Sequence, residues 1–315
     1  MSEDETRDGV PLTNLDDQLF QDAGTTKRQL VDYLYAVADR LVPLLADRPL
    51  SVVRVLRGRT FMQKNVPKYT PPWVRTVTVW AEASKREVAY AVCDDARTLL
   101  WLANQRSVEY HPTLFRLDHP GEPTHLVMDL DPPEEAGFVA AVGAALLVRQ
   151  ALADSGLTGA VKTSGAKGVH VFVPVTAGST AEEVAAATRA VAARAERLDP
   201  ALATTAYIRE DRAGKVFLDS TRSGGATVVA AYSPRVRPGA PVSFPVAWED
   251  LDRVTPADFT VRSAMSRLAA GDPWVGALPA PQVLPADLVE EGRTIPIARV
   301  QAMHEGKRRA RARRG

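Results

Sequence analysis

The pattern of hydrophobic and polar positions divides the chain into two parts, and the first part combines helices with several strands. Thr25 or Thr26 is the predicted N-cap of an amphipathic helix. Its apolar positions recur at spacings of four and three, at Leu30, Leu34, Val37, Leu41 and Leu45. Turn residues then separate three stretches of strand composition, "LSVVRVL", "VRTVTVWAEA" and "EVAYAVC". The stretch "ARTLLWLANQRSVEYH" predicts a short helix that leads into a strand.

The second part alternates strands with helices. "THLVMDLD" predicts a strand that is followed by a helix at about 135–153 and by a second strand, "GVHVFVPV". Ser179 and Glu182 form the pattern of a capping box, which opens an Ala-rich helix that ends at about Leu198. "KVFLDS" and "ATVVAAYS" predict further strands, and the last helix is expected at about 256–270. We therefore expect a mixed α/β (α+β) fold of two entwined lobes.

Two carboxylates interrupt the first strand of the second part. Side chains alternate along a strand, so Leu126, Met128 and Leu130 share one face while Asp129 and Asp131 share the other. Two carboxylates this close repel each other, and their burial is costly unless a cation compensates them. Mg²⁺ and Mn²⁺ prefer hard oxygen ligands of this type. A lone pair of aspartates is a weak signal, and a structural role stays open from this motif alone.

The second strand follows a loop of unusual composition. In "GVHVFVPV" the valines share one face, which leaves His170 on the other. The preceding run offers a hydroxyl, two glycines that permit close approach of a ligand, and ammonium groups, at Ser164, Gly165, Gly168, Lys167 and Lys162. This mixture suits a polyphosphate held by backbone N–H groups, although the spacing of a Walker A loop is absent. An ordinary basic hairpin turn is the alternative.

The third strand adds another carboxylate. "KVFLDS" places Asp219 at a strand end, on the face shared with Phe217, and Arg235 and Arg237 follow in "YSPRVRPG". Arginine holds phosphate oxygens in a planar fork. Three strand-borne acids, a histidine, a Ser/Lys/Gly loop and an arginine together predict metal-assisted phosphoryl transfer.

Composition and charge add few constraints. The 315 residues carry 39 Lys and Arg against 38 Asp and Glu, so the net charge of +1 does not announce a nucleic-acid-binding protein. The single cysteine, Cys93, excludes a disulfide framework and fits a reducing cytoplasm. The longest nearly uncharged apolar stretch, around 138–148, is too short to span a bilayer, and the acidic N-terminus is unlike a signal peptide. We expect a cytoplasmic protein without membrane contacts, associated with the nucleoid when it binds DNA.

The two termini differ in charge. Residues 1–11 are polar and are expected to be disordered, while 301–315 form a basic tail. The tail has two interpretations, a DNA-binding extension that adds to affinity by counterion release, or a solubilising end. A single domain is expected between them, at 12–300.

The ordered motifs of the chain resemble a known family. "HLVMDLDPP", "VKTSGAKGVHVFVPV", "VFLDSTRSGGAT" and "AAYSPRVRPGAPVSFPVAWEDL" resemble the polymerase domain of bacterial DNA ligase D, a member of the archaeo-eukaryotic primase superfamily. The resemblance covers about 12–275 and includes "LTNLDDQLFQDAGTTKRQLVDYLYAVA" and "RTFMQKNVP". It implies a primase-type catalytic core, with a mixed sheet flanked by helices, wrapped by an N-terminal α/β module.

The resemblance also implies an activity and its partners. The reaction is template-directed nucleotidyl transfer by a two-metal mechanism with Mn²⁺ or Mg²⁺. The substrates are NTPs or dNTPs on a DNA primer–template, or on gapped or broken DNA during repair. A separate ligase or an end-binding protein is an expected partner, and the chain is expected to act as a monomer. No ligase or nuclease domain is visible in the sequence, so a stand-alone polymerase is expected.

The family's functional residues carry over onto this sequence position by position. By the resemblance, the catalytic metal ligands are Asp129, Asp131 and Asp219. The nucleotide contacts that it implies are Asn14, His111, Ser164, Lys167, His170 and Arg235. The implied DNA contacts are Lys27 at a downstream 5′-phosphate, and Phe61, Met62 and Lys64 near the template.

Two positions depart from the family's pattern. Asp17 stands where the family commonly has a lysine that helps to hold the 5′-phosphate, and a carboxylate there would repel the phosphate. Met62 replaces the second of two adjacent aromatic residues. Two other functions stay open, a metal-dependent nuclease or phosphodiesterase and a nucleic-acid-binding module without catalysis. The triphosphate-binding residues argue against the first, and the three aspartates argue against the second.

Overall fold

Two helix-covered sheets and a small N-terminal hairpin make up the part of the chain that the computed structural model describes, residues 5–20, 24–81, 85–297 and 303. The first part contains β1 (Glu5–Arg7), β2 (Val10–Leu12), α1 (Lys27–Ala36), α2 (Ala38–Leu45), β3 (Leu50–Leu56), β4 (Arg59–Gln63), β5 (Thr76–Ala81), β6 (Arg86–Ala91), α3 (Ala96–Asn104) and β7 (Ser107–Pro112). The second part contains β8 (His125–Asp131), α4 (Gly137–Ala153), β9 (Ala160–Thr163), β10 (Val169–Pro174), α5 (Ala181–Leu198), β11 (Ala203–Thr204), β12 (Val216–Asp219), β13 (Pro245–Val246), α6 (Ala264–Ala269) and α7 (Ala286–Thr294). Short 3₁₀ helices cover Arg209–Arg212, Arg222–Gly224, Trp248–Arg253 and Pro256–Asp258.

The sheet of the second part carries the candidate chemistry. Its strand order is β11-β12-β8-β10-β9-β13, and all neighbours are antiparallel except β11 and β12. The other large sheet has the order β4-β3-β6-β5, with β7 also paired to β3. Buried apolar side chains from Val10 to Val289 form one connected core that includes residues of both sheets. The predicted mixed fold is therefore confirmed.

The predicted N-terminal disorder is wrong for residues 5–11. Arg7 pairs with Val10 across a two-residue turn, in which Asp8 and Gly9 have φ values of 48° and 72°. Asp-Gly is a favoured sequence for this type of hairpin turn. Val10 and Leu12 are buried, so the hairpin contributes to the core. The turn dipeptide was a signal available in the sequence, and the acidic composition around it concealed it.

Several predicted boundaries move. Thr26 is confirmed as the N-cap of α1, but the helix is interrupted at Val37, after which α2 begins. Thr180 rather than Ser179 caps α5, because its hydroxyl and the Glu183 carboxylate exchange hydrogen bonds with the first-turn backbone.

Two predicted elements, a strand and a helix, are not formed over their full predicted length. The stretch 226–233 lies beside β7 through isolated hydrogen bonds and forms no continuous ladder in the described chain. At its end, Tyr232 adopts a left-handed conformation with φ of 67°. The helix expected at 256–270 is a short 3₁₀ turn followed by α6, because buried Phe259 and Val261 occupy the region between the two.

Among the helices of the described residues, none is long and apolar enough to cross a membrane. Apart from Met303, the basic tail at 301–315 lies outside the described residues. The domain at 12–300 and the function of the tail stay predictions.

Candidate active site

Four ionisable side chains lie in one row across the second sheet. The strand register places Asp219 of β12 opposite Asp129 of β8. Asp129 is also opposite His170 of β10, which in turn is opposite Lys162 of β9. Directly opposite residues of antiparallel strands project from the same face of a sheet. The register therefore brings together residues separated by up to 90 positions, which strand alternation alone does not reveal.

A hydrogen-bond chain fixes the orientation of His170. The Lys162 ammonium is fully buried, lies 2.9 Å from Nδ1 of His170 and donates to Oγ of Ser243, which donates to the Thr163 carbonyl. Nε2 of His170 lies 3.2 Å from Oδ1 of Asp129. Because the Asp129 carboxylate can only accept, Nε2 carries the proton that faces it, and Nδ1 of the neutral ring is left to accept from Lys162, whose own pKa burial lowers. Burial, reinforced by Lys162, lowers the pKa of His170 to about 4, so the ring is neutral near pH 7.

The three carboxylates occupy unequal environments. Asp129 and Asp219 are buried, while Asp131 is partly exposed. Burial, and then the negative charge of Asp129, raise the pKa of Asp131 to about 6. Burial would also raise the pKa of Asp129, but His170 and Arg222 outweigh it and lower that pKa. The site therefore holds at least one carboxylate that is difficult to ionise unless more positive charge is present.

Arg222 supplies positive charge at this site and was not predicted. Its Nε lies 3.1 Å from Oδ2 of Asp129 and 3.2 Å from Oδ2 of Asp219. Arg222 begins a 3₁₀ helix three residues after Asp219, and this turn directs the side chain back to the carboxylates. The arginine of the motif "DSTRSGG" was the available signal, and its spacing from the strand end could have identified it.

The carboxylates match the chemistry of a hard divalent cation, although their arrangement does not form a complete metal centre. Within the described residues, no group of three or more His, Cys, Asp or Glu side chains could hold a metal ion. Arg222 lies against two of the three carboxylates. Oxygen donors and crowded negative charge are nevertheless what Mg²⁺ and Mn²⁺ prefer, and the raised pKa of Asp131 records that crowding. The ligand roles of the three aspartates stay a prediction.

The raised pKa of Asp131 predicts a stability effect. The ordinary pKa of 3.8 rises to about 6 in the fold, so the folded protein binds this proton more tightly than the unfolded chain. In metal-free buffer, Asp131 therefore destabilises the fold as the pH rises from about 4 to about 6. We expect Asp131→Asn to raise the free energy of unfolding by about 2 kcal/mol near pH 7, and to have no such effect near pH 4. Denaturant unfolding at both pH values checks this, and an equal effect at both would contradict it.

The loop between β9 and β10 is held by its own contacts. The Ser164 hydroxyl accepts hydrogen bonds from the backbone N–H groups of Ala166 and Gly168, at 3.2 and 3.1 Å. A Cβ at Gly165 would lie 2.6 Å from Cγ of Arg235, and one at Gly168 would lie 2.3 Å from the Leu130 carbonyl oxygen. Both glycines thus give room to the protein's own chain, and their role beside a ligand stays a prediction. Two backbone N–H groups expected to cradle phosphate are likewise engaged with Ser164.

An open cleft of about 1140 Å³ lies over the row of ionisable side chains. Asp129, Asp131 and His170 line it together with Ser164. Its basic lining residues are Lys167, Arg209, Arg212, Lys215, Arg222, Arg235 and Arg237. Arg209, Arg212 and Lys215 were not predicted, because they come from a polar stretch without a motif. A cleft with carboxylates at its floor and cations on its walls suits a metal-bound polyphosphate.

Glu109 of β7 links His111 on the same strand to Arg235, which lines this cleft. Its carboxylate lies 2.9 Å from Nε2 of His111 and 3.1 Å from Nε of Arg235, and it accepts a hydrogen bond from the Val236 N–H. Burial opposes ionisation, but the bond from His111 and the charge of Arg235 lower the pKa of Glu109 to about 2. Burial also lowers the pKa of His111. His111 and Arg235 are thus held together by an acid that was not predicted.

Comparison of the sequence with models of known protein families identifies the family of this chain. The family model described as "LigD, primase-polymerase domain" matches residues 26–274. The chain belongs to this family. Membership confirms the resemblance and the predicted class of enzyme, a nucleotidyltransferase of the primase-polymerase type, in a metal-dependent family.

Relatives in other bacteria support the assignment to the LigD primase-polymerase family. The "Bifunctional non-homologous end joining protein LigD" of Bacillus subtilis is 32% identical over 82% of this chain. The "Multifunctional non-homologous end joining protein LigD" of Mycobacterium bovis is 34% identical, again over 82%. The chain spans only 42% and 36% of the length of these two proteins.

A solved structure has the same fold. It is the "Polymerase Domain from Mycobacterium tuberculosis Ligase D in complex with DNA", which is 33% identical with a TM-score of 0.77. The match covers 86% of this chain and 99% of the mycobacterial chain.

In this member of the LigD family, the predicted phosphate contact Lys27 is buried. Its ammonium donates to the Thr13 carbonyl and, at 2.7 Å, to Oδ1 of Asn104. Burial, and then the charge of Arg106, lower the pKa of Lys27 to about 8. The prediction that Lys27 presents its charge to DNA is therefore corrected for this structure. Asp17, one of the two departures, is ion-paired with Arg106.

The predicted residues of β4 do not share one face. Register places Met62 opposite Val53 and Phe61 opposite Arg54, and the two faces alternate along β3. Met62 therefore lies on the face that carries His111, while Phe61 lies on the opposite face. Asn14 and Lys64 are exposed and lie outside the residues that line the cleft.

Proposed function

We propose that the chain is a template-directed nucleotidyltransferase that extends DNA primers or fills short gaps during end-joining repair. The observation that carries this proposal is the row Asp219–Asp129–His170 beneath a cleft with basic walls. Asp129, Asp131 and Asp219 would hold Mn²⁺ or Mg²⁺, with Arg222 released from the carboxylates. The metal would neutralise the triphosphate and activate a primer 3′-hydroxyl for attack on the α-phosphate, with pyrophosphate as the leaving group.

The triphosphate of the nucleotide would be bound by side chains that line the cleft beside the carboxylates. The Lys167 ammonium and the Arg235 guanidinium are positive groups of residues that line the cleft, and they suit the β- and γ-phosphates. The neutral His170 would donate from Nε2, and Ser164 would donate from its hydroxyl while it still accepts from the loop. His111 and Asn14 are proposed near the sugar.

The DNA would approach from the first sheet. The mycobacterial polymerase domain is known in complex with DNA, which supports a primer–template as the partner of this chain. Met62 faces the side of His111 and is proposed to contact the templating base, with Phe61 and Lys64 on the adjoining DNA. Such a protein would act in the cytoplasm and on the nucleoid, with a ligase or an end-binding protein as a further partner.

Extension of three substrates tests the function. A recessed primer, a gapped duplex and a bare template are each incubated with Mn²⁺ or Mg²⁺ and with NTPs or dNTPs. We expect growth of the primer and of the gap strand, which depends on the template sequence. Shortening of the labelled strand without nucleotides would favour the nuclease alternative, and absence of incorporation on every substrate would favour a binding module.

The engagement of Lys27 and Asp17 predicts weak recognition of a 5′-phosphate. The rate of gap filling is expected to differ by no more than about twofold between a gap with a downstream 5′-phosphate and one with a 5′-hydroxyl. A charged hydrogen bond from the protein to that phosphate would give a difference of about tenfold or more, and Lys27 is not free to form it. Asp17→Asn, which releases Arg106, should increase the preference for phosphate. Rates of single-nucleotide insertion on the two gaps check this. A strong preference in the unaltered protein would show that other residues hold the phosphate.

The buried Lys162 predicts an effect on nucleotide binding. In Lys162→Met, Nδ1 of His170 loses its donor and the site loses a charge that lowers the pKa of His170, so the ring is less firmly oriented and easier to protonate. We expect the KM for nucleotide to rise about tenfold, with a smaller change in kcat. ¹⁵N spectra of the histidine ring report the tautomer directly. Ser243→Ala keeps the Lys162–His170 bond and is the matched control, and an unchanged pKa of His170 in Lys162→Met, followed in the same spectra, would contradict the assignment.

A further inference from the structure

The charges of the chain are not evenly distributed, although they nearly cancel overall. Residues 48–81 contain seven Lys and Arg and no Asp or Glu. Arg48 and Arg54 are buried, and Arg75 is paired with Asp47 and Asp94. The remaining four are Arg57, Arg59, Lys64 and Lys68. All four are exposed, and none of them forms an ion pair within the described residues.

Exposed apolar and aromatic side chains occur in the same stretch of the sequence as these cations. We call the set Leu56, Phe61 and Tyr69, with Arg54 beneath them, the β4 face. Leu56 and Phe61 are each 41% exposed, and Tyr69 is 60% exposed. Register places Arg54, Leu56 and Phe61 on one face of β3 and β4, and β4 is an edge strand of the sheet. This face is opposite to the one that carries His111.

Arg54 holds the β4 face in place. Its guanidinium carbon lies 5.7 Å from the ring centroid of Phe61, and its NH1 lies 2.6 Å from Gln63 Oε1 and 3.5 Å from the Tyr69 hydroxyl. Its Nε donates to the Gln105 carbonyl at 2.7 Å. A buried arginine with these contacts links the two exposed rings through one guanidinium.

The backbone that carries Tyr69 is also restrained. Pro67, Pro71 and Pro72 limit its conformations, and both the N–H and the hydroxyl of Thr70 donate to the Pro67 carbonyl. The Val66 N–H donates to Ala89 of β6 at 2.8 Å, which ties this loop to the sheet. A ring that is already held in an exposed position loses little conformational entropy when a ligand stacks on it.

We propose that the β4 face binds single-stranded nucleic acid beyond the DNA contact already proposed for Phe61, with a further base stacked on Tyr69 and phosphates near Arg57, Arg59 and Lys68. Ring faces accept any base, and unpaired cations follow the backbone of the strand. A duplex hides its base faces, so it cannot use the two rings. This inference rests on the proposed function in one respect, since the strand would be the unpaired part of the template beyond the cleft. The β4 face would be a second region of contact with the template, on the face of β4 opposite to the one that carries His111.

Binding without nucleotide or metal tests this proposal separately from catalysis. The full chain is titrated onto fluorescent single strands of dT and of rU of about 20 nucleotides, and onto a blunt duplex, at several salt concentrations. We expect the single strands to bind more tightly than the duplex, and Tyr69→Ala to weaken single-strand binding about five- to tenfold. The Arg57→Ala/Lys68→Ala double variant should lower the slope of log K against log salt by about 1.4. The dT and rU arms distinguish DNA from RNA as the preferred strand.

Tyr35→Ala is the matched control. Tyr35 is 43% exposed and has the Arg7 guanidinium 5.8 Å from its ring centroid, but it lies on α1. We expect its affinity for single strands to equal that of the unaltered protein. Equal affinity in Tyr69→Ala with an unchanged melting temperature, or preference for the duplex, would overturn the proposal. So would a Tyr69-dependent dimer in sedimentation, which would show that edge strand β4 pairs with a second copy. Primer extension without single-strand binding would leave the proposed function standing.

Discussion

Asp129→Asn is expected to reduce primer extension by about 10³-fold or more. Asp129 lies at the centre of the row, opposite both Asp219 and His170, so its carboxylate is placed to contact any cation held by the cluster. Stabilisation of transition-state charge by a bound metal contributes several kcal/mol, and each 1.4 kcal/mol or so changes a rate about tenfold. Asparagine keeps the shape of the side chain and removes its charge, so the fold should persist. Single-turnover extension with saturating Mn²⁺ and nucleotide measures the loss.

Asp252→Asn is the control for this substitution. Asp252 is exposed on the 3₁₀ helix Trp248–Arg253, outside the residues that line the cleft, and its replacement should leave extension unchanged. A thermal unfolding curve of each variant separates a loss of chemistry from a loss of fold. Extension by Asp129→Asn at a rate within about tenfold of the unaltered protein would exclude Asp129 as a metal ligand.

The sequence predicted the individual strands of this site better than their partners. Alternation along a strand placed Asp129 and Asp131 on one face, and this depends only on local backbone geometry. The neighbours of Asp129 depend on the register between strands, which is set by packing across the whole sheet. Lys162 shows the consequence. It was considered as a phosphate contact because it lies close to Lys167 in sequence, but its place on β9 buries it behind His170.

Long-range ion pairs were equally inaccessible to the sequence. Glu109 is an ordinary charged residue in its local context, and its importance comes from Arg235, which lies far away in the sequence. The same is true of Lys27, whose partner Asn104 is 77 positions away. The family resemblance supplied a role for Lys27 but not its burial, because the partners of its ammonium come from other parts of the chain. Local signals were also missed, and the Asp8-Gly9 turn is an example.

Gly168→Ala is expected to lower the free energy of unfolding by about 3 kcal/mol and to reduce activity with it. A Cβ at this position would lie 2.3 Å from the Leu130 carbonyl oxygen, a backbone atom that cannot move without β8. Val169 pairs with Leu130, so the displacement would fall between the loop that carries Ser164 and the strand end that carries Asp131. The phosphate-binding side chains and the carboxylates would then move apart. Denaturant unfolding and primer extension, measured on the same preparation, check the two effects.

Gly224→Ala is the matched comparison, because a Cβ there would meet open space and its backbone has no left-handed conformation. Its stability should differ from that of the unaltered protein by less than about 0.5 kcal/mol. If Gly168→Ala were as stable as Gly224→Ala, the close approach of the loop to β8 would be absent in solution. The glycine would then have the role that its sequence context first suggested, room for a ligand. Stability and nucleotide affinity together therefore distinguish the two roles of Gly168. If the glycine makes room for a ligand, Gly168→Ala should bind nucleotide more weakly while its free energy of unfolding stays unchanged.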